Sequence, residues 1–437
     1  MPLTAHPRSR RALLGAAPVL VFSLVLAGCG RADDAGASSA ASLSIDDTPA
    51  TGTVEIWAQA GEGGALTEFV KSFEAENPDV TVTVTSLPAN TAFDAKITAA
   101  IASGSVPDVI NLYSQTQSTI FTTGGIAPVP TGLVDSSVFF PASYEPTVVN
   151  GESYAVPWYA YSQVFYYRSD LAQQAGVEPP QTWEDMKTFA AALQNAGLAE
   201  HGLGLGISWD QYSPQQLNDF IVGNGGSLIS SDLSTWTINE PANVEALSFW
   251  GTLFAEGYAS ADEPQFLDVV PFLTSGKVAS TNNGPWLTSW LDQANGEGWS
   301  KAHIGAVLPP AGPKGQSATV GSSTLAVLKD AKNPVAAWKF VRWMAEPETQ
   351  LAWYAASGNL PAVVSAWDDP AIADDALLVP VKEGMQIGVG VPPVSTWAQV
   401  GAIIGKQMER VARGQATAQQ ALDEAQQQAE QIGTGTH

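Results

Sequence analysis

Apolar and polar residues recur with two different periods along the first part of this chain, which predicts alternating strands and helices. Residues 80–85 alternate valine with threonine, the pattern of a half-buried strand. Apolar residues over 66–73 recur instead at steps of three and four, which predicts an amphipathic helix. A strand at 54–56, a second helix over 93–101 and a buried strand from Pro107 complete the series. Strands and helices that alternate at this spacing predict an α/β fold with a parallel sheet.

Helix signals continue through the second half of the chain. Thr182 and Asp185 have the spacing of a capping box, and Asn333-Pro334 is a typical helix start. A further helix is predicted over 347–358, and the Ala-, Gln- and Glu-rich segment 416–432 is predicted to be a surface helix. A chain of 437 residues is long enough for two or three domains.

The N-terminus has the organisation of a secretory signal. Three arginines between residues 8 and 11 precede an apolar run over 12–27, and small residues lead to Cys29. Leu26-Ala27-Gly28-Cys29 resembles the bacterial lipobox, in which the cysteine is acylated and becomes the mature N-terminus. The resemblance implies a signal peptide over 1–28, a flexible tether over 29–52, and a lipid anchor on the outer face of the cytoplasmic membrane. The alternative is a plain signal peptide or a membrane anchor, although the run is short for a spanning helix of ~20 residues.

The net charge of the chain argues against several classes of binding partner. The formal net charge is −24, and removal of residues 1–28 makes the protein more acidic because that segment carries arginines and no acids. Such a surface repels nucleic acid and anionic lipid. Only five arginines follow the predicted signal: Arg31, Arg168, Arg342, Arg410 and Arg413. An anionic ligand needs several converging cations, so we expect a neutral one. Cys29 is the single cysteine, which excludes an internal disulfide, and no metal site or cofactor is predicted.

Several motifs, in a fixed order, resemble those of one transport family. They are Ser105-Val106-Pro107-Asp108-Val109, Tyr154-Ala155-Val156-Pro157, Tyr166-Tyr167-Arg168, Pro179-Pro180-Gln181-Thr182-Trp183-Glu184-Asp185, Asn283-Gly284-Pro285-Trp286, Gly321-Ser322-Ser323, Asn333-Pro334 and Gly358-Asn359-Leu360-Pro361. Together they resemble the extracellular solute-binding proteins of ABC importers, in the carbohydrate-binding group that includes maltose-binding protein. The resemblance covers about residues 53–430.

The resemblance implies a periplasmic-binding-protein-like fold of two discontinuous α/β lobes with a hinge and a ligand cleft between them. The N-terminal lobe is expected over 53–159 plus about 309–359, and the C-terminal lobe over about 162–307 plus 361–433. The chain is expected to cross between lobes near 158–161, 308–310 and 360–361. It further implies a monomer that captures a mono- or oligosaccharide and delivers it to the membrane subunits of an ABC permease.

Candidate ligand-binding residues follow from two arguments. Ligands of α/β sheets lie beyond the carboxyl ends of strands, which selects Gln59, Glu62, Ser114 and Gln115. Family position implies Trp158, Tyr159, Tyr161, Trp286 and Trp397, with Trp209, Asp210, Ser322 and Asn359 as weaker candidates. Aromatic faces suit the C–H faces of a pyranose, and carboxylates or amides suit its hydroxyl rim.

Each candidate also has a structural explanation. The chain has 14 Trp, and Trp183, Trp338 and Trp343 have the spacing of helix packing positions. For Trp286 the ligand role is favoured, because Gly284-Pro285 argues against an ordinary helix there. Trp397, Tyr161 and Glu62 fit either role, and Gln115 replaces an Asp that is frequent in the family.

No catalytic motif is present in the sequence. We find no G-x-S-x-G, H-E-x-x-H or P-loop pattern, and the histidines have no context that couples them. Two other classes stay open: a secreted glycosidase, which needs two carboxylates ~5–10 Å apart across a sugar site, and a structural or adhesive surface protein.

Overall fold

The computed structural model describes residues 43–88, 91–205, 207–262 and 268–435. These residues belong to one compact unit. The predicted signal, the tether up to residue 42 and Cys29 lie outside the described residues. Within the described part of the chain, no helix combines the length and apolar character that a membrane crossing requires.

The strands are, in chain order, β1 Gly52–Gln59, β2 Val80–Leu87, β3 Val109–Tyr113, β4 Val148–Val149, β5 Glu152–Ser153, β6 Val156–Ser162, β7 Val164–Arg168, β8 Ser280–Asn283, β9 Ile304–Val307 and β10 Val320–Val327. The helices are α1 Ala60–Glu76, α2 Thr91–Ser103, α3 Gln117–Phe121, α4 Pro141–Tyr144, α5 Ser169–Ala175, α6 Trp183–Asn195, α7 Pro214–Gly223, α8 Pro241–Ala255, α9 Val270–Ser275, α10 Trp286–Asn295, α11 Trp299–His303, α12 Pro334–Met344, α13 Pro347–Ser357, α14 Pro370–Ala373, α15 Val379–Ile387, α16 Trp397–Ala412 and α17 Ala418–Ile432. Short 3₁₀ turns lie at Ser136–Val138, Glu145–Thr147 and Val364–Asp368.

A five-stranded sheet of order β2-β1-β3-β10-β6 defines the first lobe. Strand β1 pairs in parallel with β2 and β3, as the sequence predicts. Strand β10 pairs antiparallel with both β3 and β6, so the sheet is mixed beyond the predicted parallel pairing of the early strands. The late strand β10 enters the middle of the sheet from a distant part of the chain, and local periodicity carries no signal of that pairing.

A three-stranded antiparallel sheet of order β8-β7-β9 defines the second lobe. Strand β7 alternates between two hydrophobic clusters, since Tyr166 packs in one and Phe165 in the other. The cluster around Phe165 also contains apolar residues of α6, α7, α8, α16 and α17. The second lobe is therefore built from early helices of its own segment and the last two helices of the chain.

Hydrophobic residues cover both faces of the larger sheet. Helices α1, α12 and α13 pack on one face, where Phe73 meets Phe340 at 5.3 Å between ring centroids. Helix α2 covers the other face through Phe93 and Ile97. The alternation of β3, with Val109 in one cluster and Ile110 in the other, follows from the two-residue period of a strand.

Three segments of the chain run close together between the two sheets. Gln163 alone separates β6 from β7, and its backbone N–H donates to Thr319 O at 2.8 Å. Thr319 precedes β10 and forms a bridge with Val389, which lies between α15 and α16. Leu360 and Pro361, where a third crossing was expected, lie beside β6, and Leu360 packs in the cluster of the larger sheet. The predicted lobe boundaries stay predictions.

Most predicted helix ends are confirmed. The Thr182–Asp185 capping box is present, and Asn333 caps α12 by accepting a hydrogen bond from Ala336 N. Gly358 ends α13 with φ +78°, a left-handed conformation that glycine adopts without strain. The expectation that Gly284-Pro285 prevents a helix is wrong, because α10 begins at Trp286 itself. Proline is well tolerated just before or inside the first helical turn.

Candidate functional site

Strand pairing brings two tyrosines of β6 to the centre of the candidate site. Tyr161 lies opposite Gly321 of β10, and Tyr159 lies opposite Ser323. Ser323 in turn lies opposite Tyr113, the last residue of β3. Three tyrosines from strands that are far apart in sequence therefore meet at one end of the larger sheet.

The carboxylate of Glu62 lies among these tyrosines. It belongs to the first turn of α1, directly after β1. Tyr159 OH donates to Glu62 Oε1 at 2.5 Å, and Tyr113 OH lies 3.0 Å from Oε1 and 3.2 Å from Oε2. Burial raises the pKa of Glu62, and the two tyrosine hydroxyls oppose that rise because they stabilise the ionised form. Burial and the nearby Glu62 carboxylate raise the pKa of Tyr159 well above its ordinary value, so both tyrosines remain hydrogen-bond donors.

Tyr161 and Trp286 form an aromatic corner where the two lobes meet. Their ring centroids are 4.6 Å apart at an interplanar angle of 77°, an edge-to-face contact. Gln115 Nε2 approaches Tyr161 OH at 3.4 Å, and burial raises the pKa of Tyr161 to about 12. Trp286 is only partly buried, so part of its ring surface is accessible to a ligand.

Two glycines make room for this corner. A Cβ on Gly321 would lie 2.3 Å from Tyr161 Oη, and a Cβ on Gly284 would lie 2.3 Å from the Trp286 ring. Real side chains do not tolerate such distances, so both aromatic rings need a glycine beneath them. The Gly in Asn283-Gly284-Pro285-Trp286 therefore has a packing role that the motif alone did not explain.

Two serines and an amide complete the first-lobe side of the site. Ser114 and Ser322 exchange backbone and hydroxyl hydrogen bonds at 2.9 and 3.1 Å, which ties the end of β3 to β10. Gln59 ends β1 and is buried, and its backbone N–H donates to Asn111 Oδ1 at 2.9 Å. These contacts hold the ends of β1, β3 and β10 at one level.

A turn of the second lobe carries a strained residue and faces an acid of the first lobe. Trp209 has φ +56°, a left-handed conformation that is uncommon outside glycine and often marks functional sites. Asp210 is exposed, and its Oδ1 accepts hydrogen bonds from Ser208 Oγ and Tyr212 N, each at 2.9 Å. Burial raises the pKa of Tyr212, and the charges of Asp94 and Asp210 raise it further, so Tyr212 lies near both acids.

The two lobes touch across this site. Thr119 Oγ1 on α3 donates to Ser395 O, just before α16, at 2.8 Å. Asp94 on α2 lies near Tyr212 of the other lobe, and burial raises the pKa of Asp94 to about 6. The two lobes are thus in contact beyond the crossing segments, which we term the closed arrangement.

Two predicted residues lie outside the cluster. Trp158 is fully buried, with its ring 4.7 Å from that of Trp353 in the core of the first lobe. Trp397 is 2% exposed and packs near Trp236 in the core of the second lobe, with ring centroids 6.4 Å apart. A ring enclosed in this way offers no surface to a ligand.

Of the other predicted residues, Glu62 contacts Tyr159, Tyr161 contacts Gln115 and Trp286, and Ser114 contacts Ser322. Trp209 and Asp210 lie on the turn before α7, and Asn359 follows α13, where its backbone N–H donates to Ser357 Oγ.

Sequence reasoning missed Asp94, Tyr113 and Tyr212. Tyr113 directly precedes the predicted Ser114, so the rule on strand ends could have found it. Tyr212 follows the weaker candidates Trp209 and Asp210. Asp94 lies on the polar side of α2, and nothing in the helix pattern separates it from an ordinary surface acid.

The described arginines form their ion pairs outside this cluster. The arginines in the described ranges each pair with carboxylates of their own surroundings: Arg168 with Asp170, Arg342 with Asp47, Arg410 with Glu424, and Arg413 with Asp262 and Glu409. Over the same ranges, no group of three or more His, Cys, Asp or Glu side chains is arranged to hold a metal ion. The side chains around the junction are hydroxyls, amides, aromatic rings and acids.

Replacing Tyr159 with Phe tests the contacts of Glu62. Tyr159→Phe removes a hydrogen bond to a buried carboxylate, so the free energy of unfolding at pH 8 should fall by about 1.5–3 kcal/mol in urea denaturation. Tyr166→Phe is the matched control, because the buried Tyr166 hydroxyl has no hydrogen-bond partner in the described structure. The control should be neutral or slightly stabilising. Equal losses in both variants would contradict the assigned role of the Tyr159 hydroxyl.

Comparison with known proteins places the chain in a family. The family described as bacterial extracellular solute-binding protein matches residues 57–351. The chain is 24% identical over 383 residues to a putative binding protein of Brucella abortus (strain 2308), covering 85% of this chain and 90% of that protein. It is 24% identical over 433 residues to UgpB, the sn-glycerol-3-phosphate-binding periplasmic protein of Escherichia coli (strain K12), covering 89% and 94%.

Solved structures of similar fold cover nearly the same part of the chain. The sugar-binding protein MalE of Xanthomonas citri superimposes with a TM-score of 0.78 at 26% identity, covering 87% of this chain and 97% of that one. The GacH receptor of Streptomyces glaucescens GLA.O, solved unliganded and with acarbose and an acarbose homolog, gives a TM-score of 0.77 at 26% identity, covering 87% and 98%. The two-lobed α/β fold and the match over more than half of the sequence lead to one conclusion: the chain belongs to the family of bacterial extracellular solute-binding proteins.

Proposed function

We propose that this protein captures a neutral mono- or oligosaccharide between its lobes and delivers it to the membrane subunits of an ABC permease. The observation that carries the proposal is the cluster of Glu62, Tyr159, Tyr161 and Trp286 at the lobe junction. It combines aromatic ring surface, a buried carboxylate and hydroxyl groups in one place. A sugar has the same combination of apolar C–H faces and a rim of hydroxyls.

The charges around the site support a neutral ligand. A phosphate group is bound through several converging Arg, Lys or backbone N–H groups. The described arginines all pair with acids of the protein, whereas Glu62 and Asp94 face the junction. Among the relatives, MalE is described as sugar-binding and UgpB as sn-glycerol-3-phosphate-binding. The acidic character of this cluster favours the sugar.

Ligand binding is proposed to stabilise the closed arrangement. A ligand that touches Glu62 of the first lobe and Trp286 of the second favours closure by its contacts with both. We place the third crossing at 388–390, because Val391, Val394 and Trp397 beyond it pack in the cluster of the second lobe. The other crossings are Gln163 and the segment 308–319.

The same site argues against glycoside hydrolysis. A glycosidase of the usual kind needs an acid and a nucleophile or base on opposite sides of the scissile bond. Both oxygens of Glu62 already accept hydrogen bonds from tyrosines, and these fix the carboxylate as an acceptor. Binding without catalysis is the function that we propose, in a protein that acts as a monomer.

The N-terminal part of the chain is proposed to anchor the protein through acylated Cys29. The described chain begins at Leu43, and the segment after it is fastened to the first lobe. Lys339 Nζ donates to Asp46 Oδ1 at 2.6 Å, and Ala50 N donates to Asn77 Oδ1 at 2.7 Å.

A panel of sugars tests the ligand class. Neutral mono- and oligosaccharides, including maltose and maltotriose, should include at least one that raises the melting temperature by several degrees in thermal unfolding. At a concentration of 100 times Kd, binding adds about 2.7 kcal/mol to the stability. sn-Glycerol 3-phosphate should give no shift. Stabilisation by the phosphate and by none of the sugars would overturn the proposal.

Trp286→Ala tests the aromatic corner. If the ring stacks on the ligand, the Kd of the sugar found in the panel should rise about tenfold or more, equivalent to ~1.4 kcal/mol, in titration calorimetry. The melting temperature should change little, because the ring is partly exposed. Trp299→Ala is the control, since Trp299 packs on His303 at 4.6 Å in the second lobe and should leave the Kd unchanged. Unchanged affinity with a large loss of stability would assign Trp286 to the core instead.

Cys29→Ala tests the anchor. The variant, expressed in a bacterium that processes lipoproteins, should appear in the soluble extracytoplasmic fraction and bind sugar with the same Kd. Ser42→Ala, a change in the tether, should stay in the membrane fraction. A Cys29→Ala protein that remains with washed membranes would show that another segment holds it there.

A further inference from the structure

Helix α7 of the second lobe contacts all three segments that cross between the sheets. Gln163 Nε2 donates to Gln215 Oε1 at 3.2 Å, and Thr319 Oγ1 lies 2.8 Å from Gln215 O. Asn218 Nδ2 approaches Val389 O at 3.5 Å. Helix α7 therefore forms polar contacts with all three crossing segments, so these contacts depend on the relative position of the segments.

The strongest of these contacts involves Asp219, a buried acid. Thr319 Oγ1 lies 2.8 Å from Asp219 Oδ1, and Asn282 Nδ2 donates to Oδ2 at 2.9 Å. Asp219 is 6% exposed and borders a cavity of about 20 Å³, room for about one water molecule. Because so little water fits there, an ionised carboxylate at this position would be only slightly hydrated.

No charged partner compensates Asp219 in the described part of the chain. The charged or titratable side chains of the elements around it are Tyr161, Tyr166, Arg168, Glu184, Asp185, Lys187, Tyr212, Glu245, Lys314, Lys406, Glu409 and Arg410. Arg410 pairs with Glu424, Lys187 with Glu256, and Glu409 with Arg413. The groups that act on the Asp219 pKa are Thr319 and Asn282, and burial is the larger influence, raising that pKa to about 7.

The hydrogen-bond donors and the burial of Asp219 act on its pKa in opposite directions. Thr319 has one hydroxyl proton and two oxygen neighbours at 2.8 Å, Gln215 O and Asp219 Oδ1. Both oxygens accept, and Thr319 and Asn282 lower the Asp219 pKa because they donate hydrogen bonds to its carboxylate. Burial outweighs these donors, because a buried carboxylate with no charged partner costs several kcal/mol.

We propose that Asp219 is a proton-binding site that holds α7 against the crossing segment at Thr319 in the closed arrangement, and that loss of this proton favours opening. Rotation of the second lobe about the crossings separates α7 from Thr319 and admits water to the carboxyl group. The hydrated acid then returns toward its ordinary pKa. Closure therefore takes up a proton between about pH 4 and pH 7, and the ratio of closed to open protein falls up to tenfold per pH unit across that window. This regulation does not depend on which solute the cleft binds.

The experiment uses the full mature protein without any solute. Asp219→Asn mimics the neutral acid, since its amide group can donate to Thr319 and accept from Asn282. Glu245→Gln is the control, because it removes a carboxylate from α8 that contacts Asn224 of the same region but not Asp219. Two quantities are measured for each protein from pH 5 to pH 8: the radius of gyration by small-angle scattering, and the unfolding equilibrium in urea.

The radius of gyration of the wild type and of Glu245→Gln should increase as the pH rises, while that of Asp219→Asn should stay the same from pH 5 to pH 8. The unfolding equilibrium shows whether the folded protein binds the proton more tightly than the unfolded chain does. Because the folded acid holds its proton to a higher pH than the unfolded one, the folded-to-unfolded ratio of wild type should fall relative to Asp219→Asn, up to tenfold per unit, until about pH 7 and stay constant above. Identical pH profiles of wild type and Asp219→Asn would overturn the proton site. A stability difference without a change of radius would overturn its link to closure.

Discussion

The residue Gln163 imposes the constraint on which the rest of the structure depends. It is the sole residue between β6, in the five-stranded sheet, and β7, in the three-stranded sheet. One nearly continuous extended segment therefore belongs to both lobes, and its backbone is fixed to Thr319 of a second crossing. A change in the angle between the lobes must pass through the few dihedral angles near these residues, because the strands on either side are locked in their sheets.

This constraint also explains where the proposed binding cluster lies. Tyr159 and Tyr161 are the last aromatic residues of β6 before Gln163, so their side chains stand next to the hinge rather than on a distant loop. Strand β10, which leads away from the second crossing, provides Gly321 beneath Tyr161. Trp286 follows β8 and approaches from the second lobe. A ligand that lies against Tyr161 and Trp286 is thus next to the hinge. A small rotation of one lobe relative to the other directly changes the contacts of that ligand.

Much of the fold could be predicted from the sequence, because its signals are local. The valine and threonine alternation of β2, the capping box at Thr182 and the glycine end of α13 each depend on neighbours in the chain. The antiparallel insertion of β10 and the burial of Trp158 and Trp397 depend on which distant segments meet, and no local period records that. The site shows the same division. Glu62 was found from its place after β1, whereas Asp94 and Asp219 differ from surface acids only through burial by distant segments.

The two strongly buried acids, one in the site and one at the hinge, have different hydrogen-bond partners. Glu62 accepts hydrogen bonds from two tyrosines whose raised pKa values keep them protonated, so the surroundings can support an ionised carboxylate. Asp219 accepts hydrogen bonds from Thr319 and Asn282 but has no charged partner among the described residues, and burial raises its pKa to about 7. The crossing segments are joined by backbone and polar side-chain hydrogen bonds, whose partners can be exchanged with water as the lobes move. A hydrophobic cluster that includes residues of both β6 and β7 lies beside them and limits how far that motion can go.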